Sequence, residues 1–173
     1  GLIRLNHKLQ KVPNGYKVQK INFGKYETIS ATIPWGDLST AYFSTGIPNI
    51  EVFMGMNENM IKKLKMSNYL GWLFRLPPVK KYLKKQVDLK KEGPDAEKRA
   101  KGKSLFWGAV KDEKGKTQEA RLSTPEGYSL TALTVVHIVQ KVLKNDLKIG
   151  FQTPSTAYGE SLILEIPGCK LMI

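Results

Sequence analysis

The stretch Pro34-Trp35-Gly36-Asp37-Leu38-Ser39-Thr40-Ala41-Tyr42-Phe43-Ser44-Thr45-Gly46-Ile47-Pro48-Asn49-Ile50 gathers the side chains best suited to chemistry. Asp37, Ser39, Thr40, Tyr42, Ser44 and Thr45 fall within nine positions, where the pattern passes from a strand into a helix. Free amides at a helix N-terminus favour an anionic ligand group, and hydroxyls beside them can fix a substrate. The same residues also suit a plain role, with Asp37 and Ser39 capping the helix and the rest satisfying backbone. A second cluster of this kind is Gln152-Thr153-Pro154-Ser155-Thr156-Ala157-Tyr158-Gly159, and Thr153 there reads equally well as a cap.

The elements that must position these clusters are legible in outline. Leu2 to Leu5 and Lys8 to Val12 flank Asn6-His7 as a tight hairpin, and Pro13-Asn14-Gly15 forms the next turn. Tyr16 to Ile21 and Glu27 to Ile33 alternate with period two and are expected as strands. Asp37 is expected to cap a short helix over Leu38 to Phe43 that Gly46 ends and Pro48 keeps from continuing, with extended chain resuming at Ile50 to Met54.

From Asn57 the pattern is helical, broken at Pro77-Pro78 and resumed as a lysine-rich helix. Gly93-Pro94 and the charged stretch to Lys103 are expected as an exposed, cleavable loop. Asp112-Glu113-Lys114-Gly115 turns a hairpin between Ser104 to Val110 and Thr117 to Leu122. Thr124-Pro125-Glu126 has the order of a helix start. The helix that follows, apolar almost all round from Leu130 to Leu143, is expected to be buried on most sides. The sum is an α+β domain over residues 1–173: a largely antiparallel or mixed sheet, helices on one face, and a helical insertion at about 58–103.

Composition narrows the function classes. The chain has 173 residues, of which 41% are hydrophobic and 25% charged, so a packed core is expected. One cysteine, Cys169, allows no internal disulfide, and with two histidines it cannot complete a structural zinc site. The expected compartment is the cytoplasm. His137 lies in the most apolar helix and is expected as a satisfied core imidazole, not as part of a triad or metal site. No G-x-G-x-x-G is present. The Walker-like tails Gly102-Lys103-Ser104 and Gly115-Lys116-Thr117 lack the first glycine and lead into strands.

The formal charge is +13, and 14 basic against 4 acidic residues lie between Lys62 and Lys103. Val79, Tyr82, Leu83 and Val87 follow helical spacing there, while Lys80, Lys81, Lys84, Lys85 and Lys91 lie off the stripe. A solvated lysine face accounts for such a pattern. So does an anionic membrane surface, since Tyr69-Leu70-Gly71-Trp72-Leu73-Phe74-Arg75-Leu76 precedes the basic helix in the order of an interfacial anchor. Nucleic acid is the weaker alternative, because lysine dominates over arginine and no recognised module is visible.

Four ordered stretches carry a resemblance: Trp35 to Ala41, Ser44 to Val52, Pro125 to Ala132, and Gly150 to Pro154 with Tyr158-Gly159. Together they resemble the C-terminal half of saccharopine dehydrogenase-like oxidoreductases, in matching order along essentially the whole chain. The resemblance implies a substrate-binding and dimerising domain whose N-terminal Rossmann partner domain, which binds NAD or NADP, lies outside these residues. It implies hydride transfer in the complete protein, a small-molecule substrate, a homodimer, and no cofactor bound by this part alone. Asp37, Thr40, Tyr42, Thr45, Thr153 and Tyr158 are then the expected substrate-binding residues, and no catalytic residue is assigned.

Overall fold

Two tight hairpins set the chain's first and longest ribbons. In the computed structural model, which describes residues 1–89, 93 and 95–172, strands β1 (Leu2–Leu5) and β2 (Lys8–Lys11) pair antiparallel with Leu5 opposite Lys8. Asn6 and His7 form the two-residue turn with φ of 48° and 67°. That left-handed pair matches the twist of the strands it joins. The class is α+β, and the expected antiparallel pairing is distributed over three small sheets.

The described residues form two compact units. The first comprises those of Gly1–Ile21 and Glu27–Gly93. Its main sheet has the order β3 (Val18–Asn22), β4 (Glu27–Thr32), β5 (Phe53–Gly55), with Ala31 opposite Met54. Inward residues of β4 and the chain after it meet helix α2 (Glu58–Leu70): Ala31, Ile33, Met56 and Ile61 are buried together, with Ile29, Val52, Met54 and Leu64 packed around them. Apolar burial of this kind stabilises by roughly 25 cal/mol per Å² removed from water. Asn57 caps α2, its side chain accepting from the Met60 amide at 2.8 Å.

Helix α1 (Asp37–Thr45) is anchored by Leu38, which is 1% exposed. Its N-cap is Gly36, so Asp37 is the first helical residue and makes no cap bond. The tight Trp35-Gly36 bend leaves the carboxylate one position too late to reach back over the first turn. Gly46 ends the helix in the left-handed region (φ 70°), its amide donating to the Tyr42 carbonyl at 2.8 Å. A 3-10 turn (Leu73–Arg75) leads into α3 (Pro77–Asp88), which begins with its two prolines in the first turn, where their missing N–H groups cost nothing.

The second unit comprises the described residues of Asn22–Tyr26 and Pro94–Ile173. The expected loop before Lys103 contains instead helix α4 (Ala96–Lys101), because the Asp95 side chain accepts from the Lys98 amide and nucleates a turn. Lys90, Lys91, Glu92 and Pro94 lie outside the described residues. Strands β6 (Lys103–Lys111) and β7 (Thr117–Pro125) form an antiparallel ribbon nine residue pairs long. Its turn carries the Asp112 amide bonded to the Lys116 carbonyl and Gly115 at φ 83°. Strand β8 (Lys170–Met172) pairs only with Arg121–Ser123, so the outer part of the ribbon, from Gly108 to Ala120, is exposed on both faces.

Helix α5 (Gly127–Leu143) is capped by Glu126, whose carboxylate accepts from the amides of Tyr128 and Ser129. Thr124, the expected start, is instead fully buried within β7 opposite Ser104, its hydroxyl donating to the Pro125 carbonyl. The expected burial of α5 also fails: none of its residues is buried, and Val135, Val136 and Leu143 are more than half exposed. The half-buried residues Leu130, Thr134, His137, Ile138 and Lys141 trace its packed side. Helices α6 (Pro154–Tyr158) and α7 (Leu162–Glu165) complete the unit, with Leu162 and Ile166 buried.

Candidate functional site

Helix α1 and the first hairpin bring together the polar cluster of the first unit. Arg4, on β1, is 7% exposed, and its Nε donates to the Leu38 carbonyl at 2.7 Å while Nη1 donates to the His7 carbonyl. Its guanidinium lies 4.0 Å from the centroid of the Tyr42 ring. The Tyr42 hydroxyl is 3.2 Å from His7 Nδ1, and the two rings meet edge to face at 5.8 Å. Burial of a guanidinium is tolerable here because carbonyl acceptors and an aromatic face replace lost water.

The other expected residues of α1 are differently employed. The Thr40 hydroxyl donates to the Gly36 carbonyl at 3.4 Å, and the Thr45 hydroxyl donates to the Ala41 carbonyl at 2.7 Å while accepting from the Ile47 amide. These are back-bonds within one helix and its end, the plain role that such residues admit. Asp37 is exposed. Of the expected residues on α1, Tyr42 therefore reaches across to another element.

Thr153 and Tyr158 belong to the second unit. Thr153 caps α6 in a reciprocal box: its hydroxyl accepts from the Thr156 amide at 3.2 Å and its own amide donates to the Thr156 hydroxyl at 2.9 Å. Tyr158 donates its hydroxyl to the Asp146 carbonyl at 2.9 Å. The cap expected at Thr153 is thus observed, whereas α1 and α6 place the two groups of expected residues in separate units.

A cluster that sequence reading missed lies on α5 and α7. His137 Nε2 donates to Glu165 Oε2 at 2.8 Å, and Lys141 Nζ reaches the same oxygen at 3.0 Å. Lys141 also approaches Asp146 at 3.7 Å and lies over the Tyr158 ring at 5.3 Å. The hydrogen bond from His137, followed by that from Lys141, holds the Glu165 carboxyl below the usual carboxylate range. The bond to Glu165 raises the Lys141 ammonium above its ordinary value, against a smaller opposing effect of burial. His137 is therefore a half-buried imidazole hydrogen-bonded to a carboxylate, not a core one, because it lies on the packed side of α5 facing α7. Its spacing of four from Lys141 puts both on one helix face, a signal present in the sequence; Glu165 is 28 residues away and gave none.

Among the described residues, no three of His, Cys, Asp and Glu converge as metal ligands. Burial pushes the Cys169 thiol up, which disfavours the reactive thiolate. Dinucleotide sites are built at the carboxyl ends of parallel strands with closely spaced glycines before a helix. The paired strands here are antiparallel, and no such glycine turn occurs among the described residues. No helix among them is long and apolar enough to cross a membrane. Compared with protein-family models, curated proteins and solved structures, the chain matches none.

Proposed function

We propose that the chain is the substrate-side domain of an NAD(P)-dependent, saccharopine dehydrogenase-like oxidoreductase that works with a separate nucleotide-binding domain. The observation that carries this reading is the ordered run of four motifs. Two of them open helices: Trp35 to Ala41 begins α1, and Pro125 to Ala132 begins α5. A third, Gly150 to Pro154, supplies the cap and first residue of α6. The uncovered apolar side of α5 adds support, since a domain that works alone seldom leaves Leu133, Val136 and Val139 in water together.

In this reading Asp37 and Tyr42 orient the substrate and the difficult redox step belongs to the cofactor held by the partner domain. Thr40 and Thr45 keep α1 and its Gly46 terminus in shape. The test is reconstitution. The chain is mixed with a Rossmann-type domain encoded beside it, and nicotinamide absorbance is followed with amino-acid and carbonyl substrates. Turnover that appears only in the mixture, and falls in Asp37→Ala and Tyr42→Phe without loss of the folded state, is the expected result. A mixture that neither associates nor turns over any such substrate ends the proposal.

A further inference from the structure

Helix α3 has an apolar side that the described residues cover only at Val79, which is half-buried. By helical spacing Val79, Tyr82, Leu83 and Val87 share one side, with Lys80, Lys81, Lys84 and Lys85 on the other. An amphipathic helix in a globular protein hides its apolar side. No residue of α3 is buried, and Tyr82, Val87 and the following Leu89 are 63%, 66% and 72% exposed. The segment leading into it behaves alike: Tyr69 is 81% exposed and Trp72 65%, and Phe74 and Leu76 are exposed as well. Among the described residues no carboxylate pairs with the four lysines.

We propose that the stretch from Tyr69 to Leu89 is a docking surface for an anionic lipid bilayer, lying in the plane of the headgroups with its apolar side turned to the acyl boundary. The inference stands independently of the oxidoreductase reading. Charge complementarity selects the occupant. Residues 69–89 hold five basic residues and one acidic one, and lysines beside an apolar side are drawn to anionic headgroups while their stems snorkel along it. Tyr and Trp suit that depth because one end of each ring system is apolar and the other polar. A second copy of the chain is disfavoured, since a two-fold contact would set this basic surface against itself. Nucleic acid would use the lysines but leave the aliphatic side of α3 in water.

The test is sedimentation of the full chain with phosphatidylcholine vesicles containing roughly 30% phosphatidylserine, compared with phosphatidylcholine alone, at low and raised salt. Expected are binding at least about tenfold stronger to the anionic vesicles and loss on adding salt, as for about 1 kcal/mol per lysine at the surface. Lys80→Gln with Lys84→Gln, and separately Tyr82→Ser with Val87→Ser, should each weaken binding about tenfold or more. Both pairs are exposed, so circular dichroism and thermal midpoint should stay at the wild-type values. Tryptophan emission should shift to the blue on vesicles, and Trp72→Phe should remove most of that shift.

Absence of binding to anionic vesicles at low salt overturns the proposal. So does an unchanged affinity in the Tyr82→Ser, Val87→Ser pair, since attraction by charge alone is what a single-stranded RNA probe would also give. Conversion of a dimer to a monomer by that pair, with vesicle binding intact, would assign the surface to self-association instead.

Discussion

Arg4 lays its guanidinium 4.0 Å from the centre of the Tyr42 ring while its Nε donates to the carbonyl of Leu38, four residues earlier on the same helix. One buried cation thus joins β1, the first turn and α1. Arg4→Met keeps the apolar stem and removes the donors, leaving the Leu38 and His7 carbonyls without this partner. A loss of about 2 kcal/mol is expected in urea denaturation, the usual cost of stranding buried polar groups. Equal stability of wild type and variant would show that the contact is incidental.

Leu38 and Val139 make a contrasting pair. Leu38→Ala should cost about 3 kcal/mol, because Leu38 is 1% exposed and its removal leaves a cavity. Val139 is half exposed, so Val139→Ser should change stability by no more than about 0.5 kcal/mol. A large loss at Val139 in the isolated chain would mean that α5 is covered after all.

Replacing Thr153 tests the cap of α6. Thr153→Ala should lose about 1 kcal/mol and Thr153→Ser most of nothing, because serine keeps the oxygen that accepts from the Thr156 amide. Similar losses for alanine and serine would point to the methyl group rather than the cap.

The Glu165 pair gives a pH dependence with a fixed sign. Its carboxyl is depressed in the folded chain, so its contribution is present above the ordinary glutamate value of about 4.3 and is lost as the pH falls through the lower, folded value. The Lys141 ammonium is raised, so its share is present below about 10.4 and disappears only as the pH climbs through the folded value. Glu165→Gln should lower the thermal midpoint modestly at neutral pH, and the two proteins should converge in acid. A difference of the same size at both ends would separate the effect from ionisation.

How far the sequence reveals this molecule depends on how local each determinant is. The Asn6-His7 and Asp112-Glu113-Lys114-Gly115 turns, the Thr153 cap and the Gly46 stop are written in a few neighbouring residues, and all stand as expected. Helix α5 is capped by Glu126 and not by Thr124, because Thr124 is claimed by pairing with Ser104, twenty residues away. The exposure of α5 was equally hidden, since an apolar helix looks the same whether its cover is supplied by its own chain or not. At the candidate site, Tyr42 was visible as a residue type. Its partners Arg4 and His7 are 38 and 35 positions away, and only tertiary closure brings them to it.

The β6–β7 ribbon outruns its support. Among the described residues no third strand pairs with it beyond Arg121, and Gly108 to Ala120 are all exposed. Free strand edges invite pairing with other chains, and charged side chains are a common safeguard against it. Lys111, Asp112, Glu113, Lys114, Lys116 and Glu119 crowd that outer end. Charges so placed suit a gatekeeping role against edge pairing, and a variant that neutralised them is expected to scatter more light on concentration than the wild type.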